Sequence, residues 1–125
     1  MNKNLDVQIL QETINDLKNN PNACTLYGGE TSQDGVFTIP ESKPGEQLTK
    51  FIRYFYENEL LDQQYPDNYE KIRNKKIADY SYEETLTALT KIIRGDRFVS
   101  GQIYGCFKDD SLLEVLEKLL SYATK

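Results

Sequence analysis

A chain of 125 residues, 38% hydrophobic and 28% charged, has the means for one ordinary core and reads as a single domain, 1–125, rather than a disordered segment. Its net charge of −5 argues against a general nucleic-acid binder. The absence of histidine excludes Ser-His-Asp and Cys-His catalysis, HExxH metal chemistry and Cys/His zinc sites.

In chain order, residues 4–19 place Val7, Leu10, Ile14 and Leu17 on one helical face, and Pro21 stops that helix. The runs 24–27 and 36–39 are β-prone and bracket a polar, glycine-rich connection containing Asp34-Gly35, so a small hairpin is expected there. Pro44 suits the first turn of a helix over 44–61, with Leu48, Phe51, Ile52 and Phe55 as its apolar stripe. The polar stretch after it, 62–80, reads as a connector with a short helix around 67–73. Ser81 and Glu84 form a capping-box pattern for a helix over 82–94 carrying Leu86, Leu89, Ile92 and Ile93.

Gly95 is placed to end that helix in the left-handed conformation. A further helix is expected at once, with Asp96 as N-cap and Val99, Ile103 and Phe107 facing inward. Asp109-Asp110-Ser111 breaks the chain again before a last helix over 111–122, rich in leucine. The expected class is α+β, mostly α: about four to five helices and a small β-hairpin in the N-terminal third.

Residues 94–105, RGDRFVSGQIYG, concentrate the site candidates. A cation at a helix C-terminus and an aspartate at the next N-terminus explain Arg94, Gly95 and Asp96 as a structural corner. Arg97 fits less well, because a cation in a first turn opposes the helix dipole; it calls for a carboxylate or a bound anion. Gly101 and Gly105, four apart, predict the close approach of a neighbouring backbone, and Phe98 reads as structural. Tyr65, Tyr69 and Tyr82, from a tyrosine-rich central stretch, offer contact area with a polar tip.

No nucleophile–base pair, metal-ligating pattern or glycine-rich phosphate loop is present, so no catalytic residue, metal or cofactor is expected. The basic cluster Lys71, Arg73, Lys75 and Lys76 reads as a solvated helix face. Residues 1–20 lack the apolar core of a signal peptide, and no run reaches membrane-spanning length. Cys24 and Cys106 lie far apart, and Cys106, among apolar residues, reads as inert. The expectation is a cytoplasmic protein with two free thiols and no membrane partner.

The order of DGVFTIP, FIRYFYENELLD, YPDNYEKI, IIRGDRF, Gly101 and SLLEVLEKLL resembles a small bacterial and phage family catalogued as domain of unknown function 6508, over about residues 27–121. Arg94, Gly95, Asp96, Arg97, Phe98 and Gly101 match its box position by position. The family more often has Glu where this chain has Asp96, and often Cys where it has Val99; the second departure removes any reactive-thiol role there. The resemblance brings no activity with it. Its phage occurrence implies, by analogy, an inhibitor of a host defence protein.

Composition and site together lead to a non-enzymatic cytoplasmic binding protein. A surface with Arg94, Asp96, Arg97, Tyr65, Tyr69 and Tyr82 would recognise a partner protein or a small anionic ligand. The alternative is a nucleotide or phosphate binder in which Arg94 and Arg97 clamp phosphate and a tyrosine stacks on a base. Homo-oligomerisation would serve either by completing a pocket across a two-fold axis.

Overall fold

The computed structural model describes residues 5–29, 31–37, 39–96 and 100–124. They form α1 (Val7–Asn19), β1 (Cys24–Tyr27), β2 (Glu41–Pro44), α2 (Glu46–Glu57), α3 (Tyr65–Ile72), a 3₁₀ turn (Ile77–Asp79), α4 (Tyr82–Gly95), α5 (Gln102–Lys108) and α6 (Ser111–Ala123). The fold is mostly α with one small antiparallel hairpin. α4 is the central helix and packs on α3, α5 and α6; α1 lies on α2 and α6. Leu10, Leu48, Phe51, Phe55, Leu89, Leu112, Leu116 and Leu119 form the driest part of the shared core.

The helix starts follow local chemistry. Asp6 accepts from the Ile9 amide at the head of α1 (3.2 Å). Ser81 accepts from the Glu84 amide (3.1 Å) while Glu84 accepts from the Ser81 amide (2.8 Å), completing the capping box of α4. Glu84 also holds Lys75 at 2.8 Å, and Arg73 pairs with Glu70 at 3.4 Å. Two of the four residues of the basic cluster are thus paired with neighbouring carboxylates.

The buried threonines Thr13, Thr85, Thr87 and Thr90 each donate to a carbonyl one turn back: Ile9, Ser81, Glu83 and Leu86. For Thr13, Thr85 and Thr90 this satisfies the hydroxyl proton inside the helix and leaves lone pairs for neighbours; Thr87 shares its one proton between Glu83 (3.1 Å) and the Asp62 carboxylate (2.6 Å). Thr90 Oγ1 accepts from the Asp62 amide (2.9 Å), and Thr13 Oγ1 from the Gln47 side chain (3.1 Å). The Asp62 carboxylate in turn accepts from Thr87 Oγ1 (2.6 Å), Asn68 Nδ2 (2.9 Å) and the Gln64 amide (2.9 Å). One half-buried side chain thus fastens the α2–α3 connection and α3 to α4.

The hairpin differs from expectation. β1 pairs with 41–44, not with 36–39. The pairing is set at its base, where the Gly45 amide donates to the Ala23 carbonyl (2.8 Å) and a Cβ on Gly45 would lie 2.9 Å from that oxygen. Only glycine allows that approach, so Gly45 fixes the register, and Pro44 ends β2 instead of opening α2. Phe37 bridges Thr31 farther out in the same register. Gly35, at φ +85°, turns the tip as Asp34-Gly35 led one to expect, with its amide on the Ser32 carbonyl (2.9 Å).

Three further differences concern helix ends. α3 starts at Tyr65, with Pro66 in its first turn, so YPDNY is helix rather than a connecting loop. Gly95 is the last residue of α4 and has no left-handed backbone; Asp96 follows in right-handed geometry. α5 starts at Gln102, not directly after Asp96, because Gly101 takes the left-handed N-cap position at φ +76°.

Burial pushes the Asp62 carboxyl up, but the hydrogen bonds from Thr87, Asn68 and Gln64 outweigh it and hold the group below its ordinary value. Its contribution is full above the unfolded-state pKa, about 3.9, and is lost as pH falls through the lower folded-state value. Asp62→Asn is expected to cost about 1–3 kcal/mol at neutral pH. Urea unfolding from pH 7 downward should show a shallower acid loss in that variant than in the wild type.

Candidate functional site

The corner between α4 and α5 is built around Asp96. Its Oδ1 accepts from the Ile103 amide (2.9 Å), at the second position of α5, and from Ser42 Oγ (2.7 Å), on β2. Ser42 Oγ accepts in turn from the Tyr104 amide (2.9 Å). Two of the open N–H groups at the head of α5 are thereby satisfied, one by a carboxylate and one by a hydroxyl that the same carboxylate orients. Asp96 does cap the next helix, but from outside it, and it brings the hairpin into the same knot.

Gly101 completes the junction. Its left-handed backbone turns the chain into α5, and a Cβ there would sit 3.2 Å from Leu26 Cδ1 of β1. Cys24, at the foot of β1, is 1% exposed; burial pushes its thiol up to about 11, the nearby Asp96 charge adding to this and a hydrogen bond with the Lys43 backbone opposing it. The hairpin is therefore clasped at its base by the corner.

Beyond the clasp the hairpin leaves the helical body. Leu26, Tyr27, Val36, Phe37 and Ile39 are between 44% and 62% exposed. They are five of the six large apolar side chains exposed among the described residues, the sixth being Tyr56 on α2. An isolated exposed leucine needs no explanation; five on one protruding arm do. Two strands alone are marginal and would be expected to lie on helices, yet these side chains stand exposed.

The other expected site residues do not converge. Arg94 lies half-buried in the last turn of α4, its buried Nε without a hydrogen-bond partner among the described residues and without an ion pair to Asp96. Tyr82 heads the same helix twelve positions away, about 18 Å at 1.5 Å per residue. It is 7% exposed and packs edge-on against Tyr122, which removes it from any surface shared with Arg94. Tyr65 and Tyr69 are half-buried on α3, and the Lys91 ammonium lies over the Tyr69 ring at 4.8 Å.

Gly105 is exposed on α5, and a Cβ there would meet nothing within 4 Å, so only Gly101 of the glycine pair serves a close approach. Its neighbour was a backbone in expectation and is a leucine side chain in the structure. Arg97, Phe98 and Val99 lie outside the described residues. Among the described residues no group of His, Cys, Asp or Glu is arranged to hold a metal ion, and no helix is long and apolar enough to cross a membrane. Ser42, which sequence reasoning missed, carried no local signal: its role exists only once the hairpin register brings it to Asp96.

Asp96→Ala and Ser42→Ala are each expected to cost about 1–3 kcal/mol, since each leaves an α5 amide without its partner. Because they share one network, their effects should fall short of additivity by about 0.5–3 kcal/mol in a double-mutant cycle read by urea unfolding. Amide exchange in the hairpin should accelerate in both single variants, and additive effects with unchanged hairpin exchange would contradict the clasp.

No curated protein and no solved structure matches the chain. One family does, over residues 2–125, and it contains the corner, the arm and every helix described above. The chain belongs to DUF6508, a family of unknown function.

Proposed function

We propose that this protein is a non-enzymatic binding module that engages a partner protein through the β-arm. The observation that carries the reading is the concentration of Leu26, Tyr27, Val36, Phe37 and Ile39 on a hairpin fixed at one end and exposed along the rest. Side chains held on a rigid support lose less freedom on binding, and aromatic residues dominate the energetics of such contacts. The corner serves this function from behind. Asp96 and Gly101 mount the arm and do not themselves touch the partner. This reading puts the contact surface on the arm, with Asp96 as its anchor, rather than at Arg94 and the tyrosines.

A reducing cytoplasm suits this reading. Cys24 and Cys106 are both unpaired, and burial raises each thiol above its ordinary value, which keeps them protonated and unreactive at neutral pH. The arm needs no disulfide, since its base is held by Gly45, Ser42 and Asp96.

The test separates folding from binding. Phe37→Asp and Ile39→Asp, at exposed positions, should change stability by no more than about 0.5 kcal/mol. A photo-crosslinking amino acid in place of Phe37, in cells that naturally produce the protein, should yield a discrete adduct with another protein. The same amino acid in place of Lys50, exposed on α2, should not. Strong destabilisation by the aspartates, or equal adducts from both positions, would contradict the reading.

A further inference from the structure

A different part of the molecule is shaped to hold a small ligand. Between α3, α4, α5 and α6, beside the 3₁₀ turn, lies a cavity of about 90 Å³. Ala88, Ile92 and Val115 form an apolar wall. The polar lining comes from Lys91, Tyr69, Tyr80, Gln102 and Cys106, with Ser111 at the start of α6.

These polar groups are short of acceptors. Lys91 is half-buried and makes no ion pair with a described residue; its ammonium faces only the Tyr69 ring. Tyr80 is 5% exposed and its carbonyl accepts from Tyr122; its hydroxyl forms no hydrogen bond with a described residue and is not sealed from solvent. The Gln102 amide has only a long contact, 3.8 Å, to the Cys106 sulfur. Ser111 Oγ spends its proton on Asp109. No carboxylate lines the cavity. A half-buried ammonium with no carboxylate partner among the described residues, in the same lining as a tyrosine hydroxyl able to donate, suits an anion that would meet both.

We propose that this cavity binds a small monocarboxylate, its oxygens meeting Lys91 Nζ and Tyr80 Oη and its short apolar end lying against Ala88, Ile92 and Val115. Size sets the class. A cavity of about 150 Å³ accommodates benzene, so this one takes a ligand of about four or five heavy atoms, such as acetate or propionate. The aliphatic wall favours these over inorganic anions. The site is independent of the arm and stands or falls without it.

The experiment titrates sodium acetate, propionate, benzoate and chloride at matched ionic strength into the full chain. Thermal shift and ¹H–¹⁵N spectra are the readouts. Acetate or propionate should raise Tm saturably and move the amides of Tyr80, Lys91 and Gln102, whereas benzoate, too large, and chloride should do neither. Lys91→Met should abolish the response, and Tyr80→Phe should weaken affinity by about tenfold or more, the loss of one charge-assisted hydrogen bond. No saturable response in the wild type overturns the proposal, with ordered water as the filling. An undiminished response in folded Lys91→Met, or equal responses to chloride and acetate, overturns it as well. The size discrimination is read on the wild type and does not depend on how either variant folds.

Discussion

One carboxylate oxygen joins three parts of the chain that sequence keeps far apart. Asp96 Oδ1 receives β2 through Ser42 and α5 through Ile103, while standing at the end of α4. Ser42 lies 54 residues upstream, so this contact is among the long closures the fold must make. Without it, the head of α5 would lose its donors' partners and the hairpin would keep only the Gly45 approach at its foot. The position of the arm, the start of α5 and the left-handed turn at Gly101 are consequences of the same knot.

The helical body is held on a different principle. Its threonines sit on buried helix faces where valine would pack as well, and Thr13 and Thr90 spend their protons within their own helices, which leaves an acceptor aimed sideways. Thr87 instead turns its proton on a carboxylate. Through Thr90 and Thr87 the helix α4 addresses both the amide and the carboxylate of Asp62, and so orders a connection that is otherwise polar and irregular. Apolar burial supplies the attraction here, while these hydrogen bonds select which face of α4 meets that connection.

Much of the body was legible in the sequence because local chemistry decided it. The Ser81–Glu84 box and the leucines of α6 each fixed an element within one residue of where it lies, and the apolar face of α1 fixed that helix with its end at Asn19 and its start three residues later than expected. The hairpin was half legible. Val36, Phe37 and Ile39 are stronger strand formers than Glu41–Pro44, yet the ladder with β1 formed on the weaker segment, because the Ala23–Gly45 approach dictates register and propensity does not. The corner was legible as a corner. Its partner Ser42 was not, and neither was the exposure of the arm, since two strands alone are marginal and are expected to lie on helices. A pattern can say which side chains share a face; it does not say what, if anything, lies on it.

The register at the foot of the hairpin also governs what the arm cannot do. With Ala23 and Gly45 hydrogen-bonded, odd-numbered positions of β2 turn their backbone toward β1 and even-numbered ones turn it outward. The outward positions on the returning strand are Pro40, Ser42 and Pro44, and two of these have no N–H to offer. Along that side the arm presents greasy side chains but almost no donors, so a stray strand finds nothing to zip onto. A protrusion this apolar would ordinarily invite stacking into fibres. Pro40 and Pro44, either side of Ser42 along that edge, let it stay adhesive there without becoming a template.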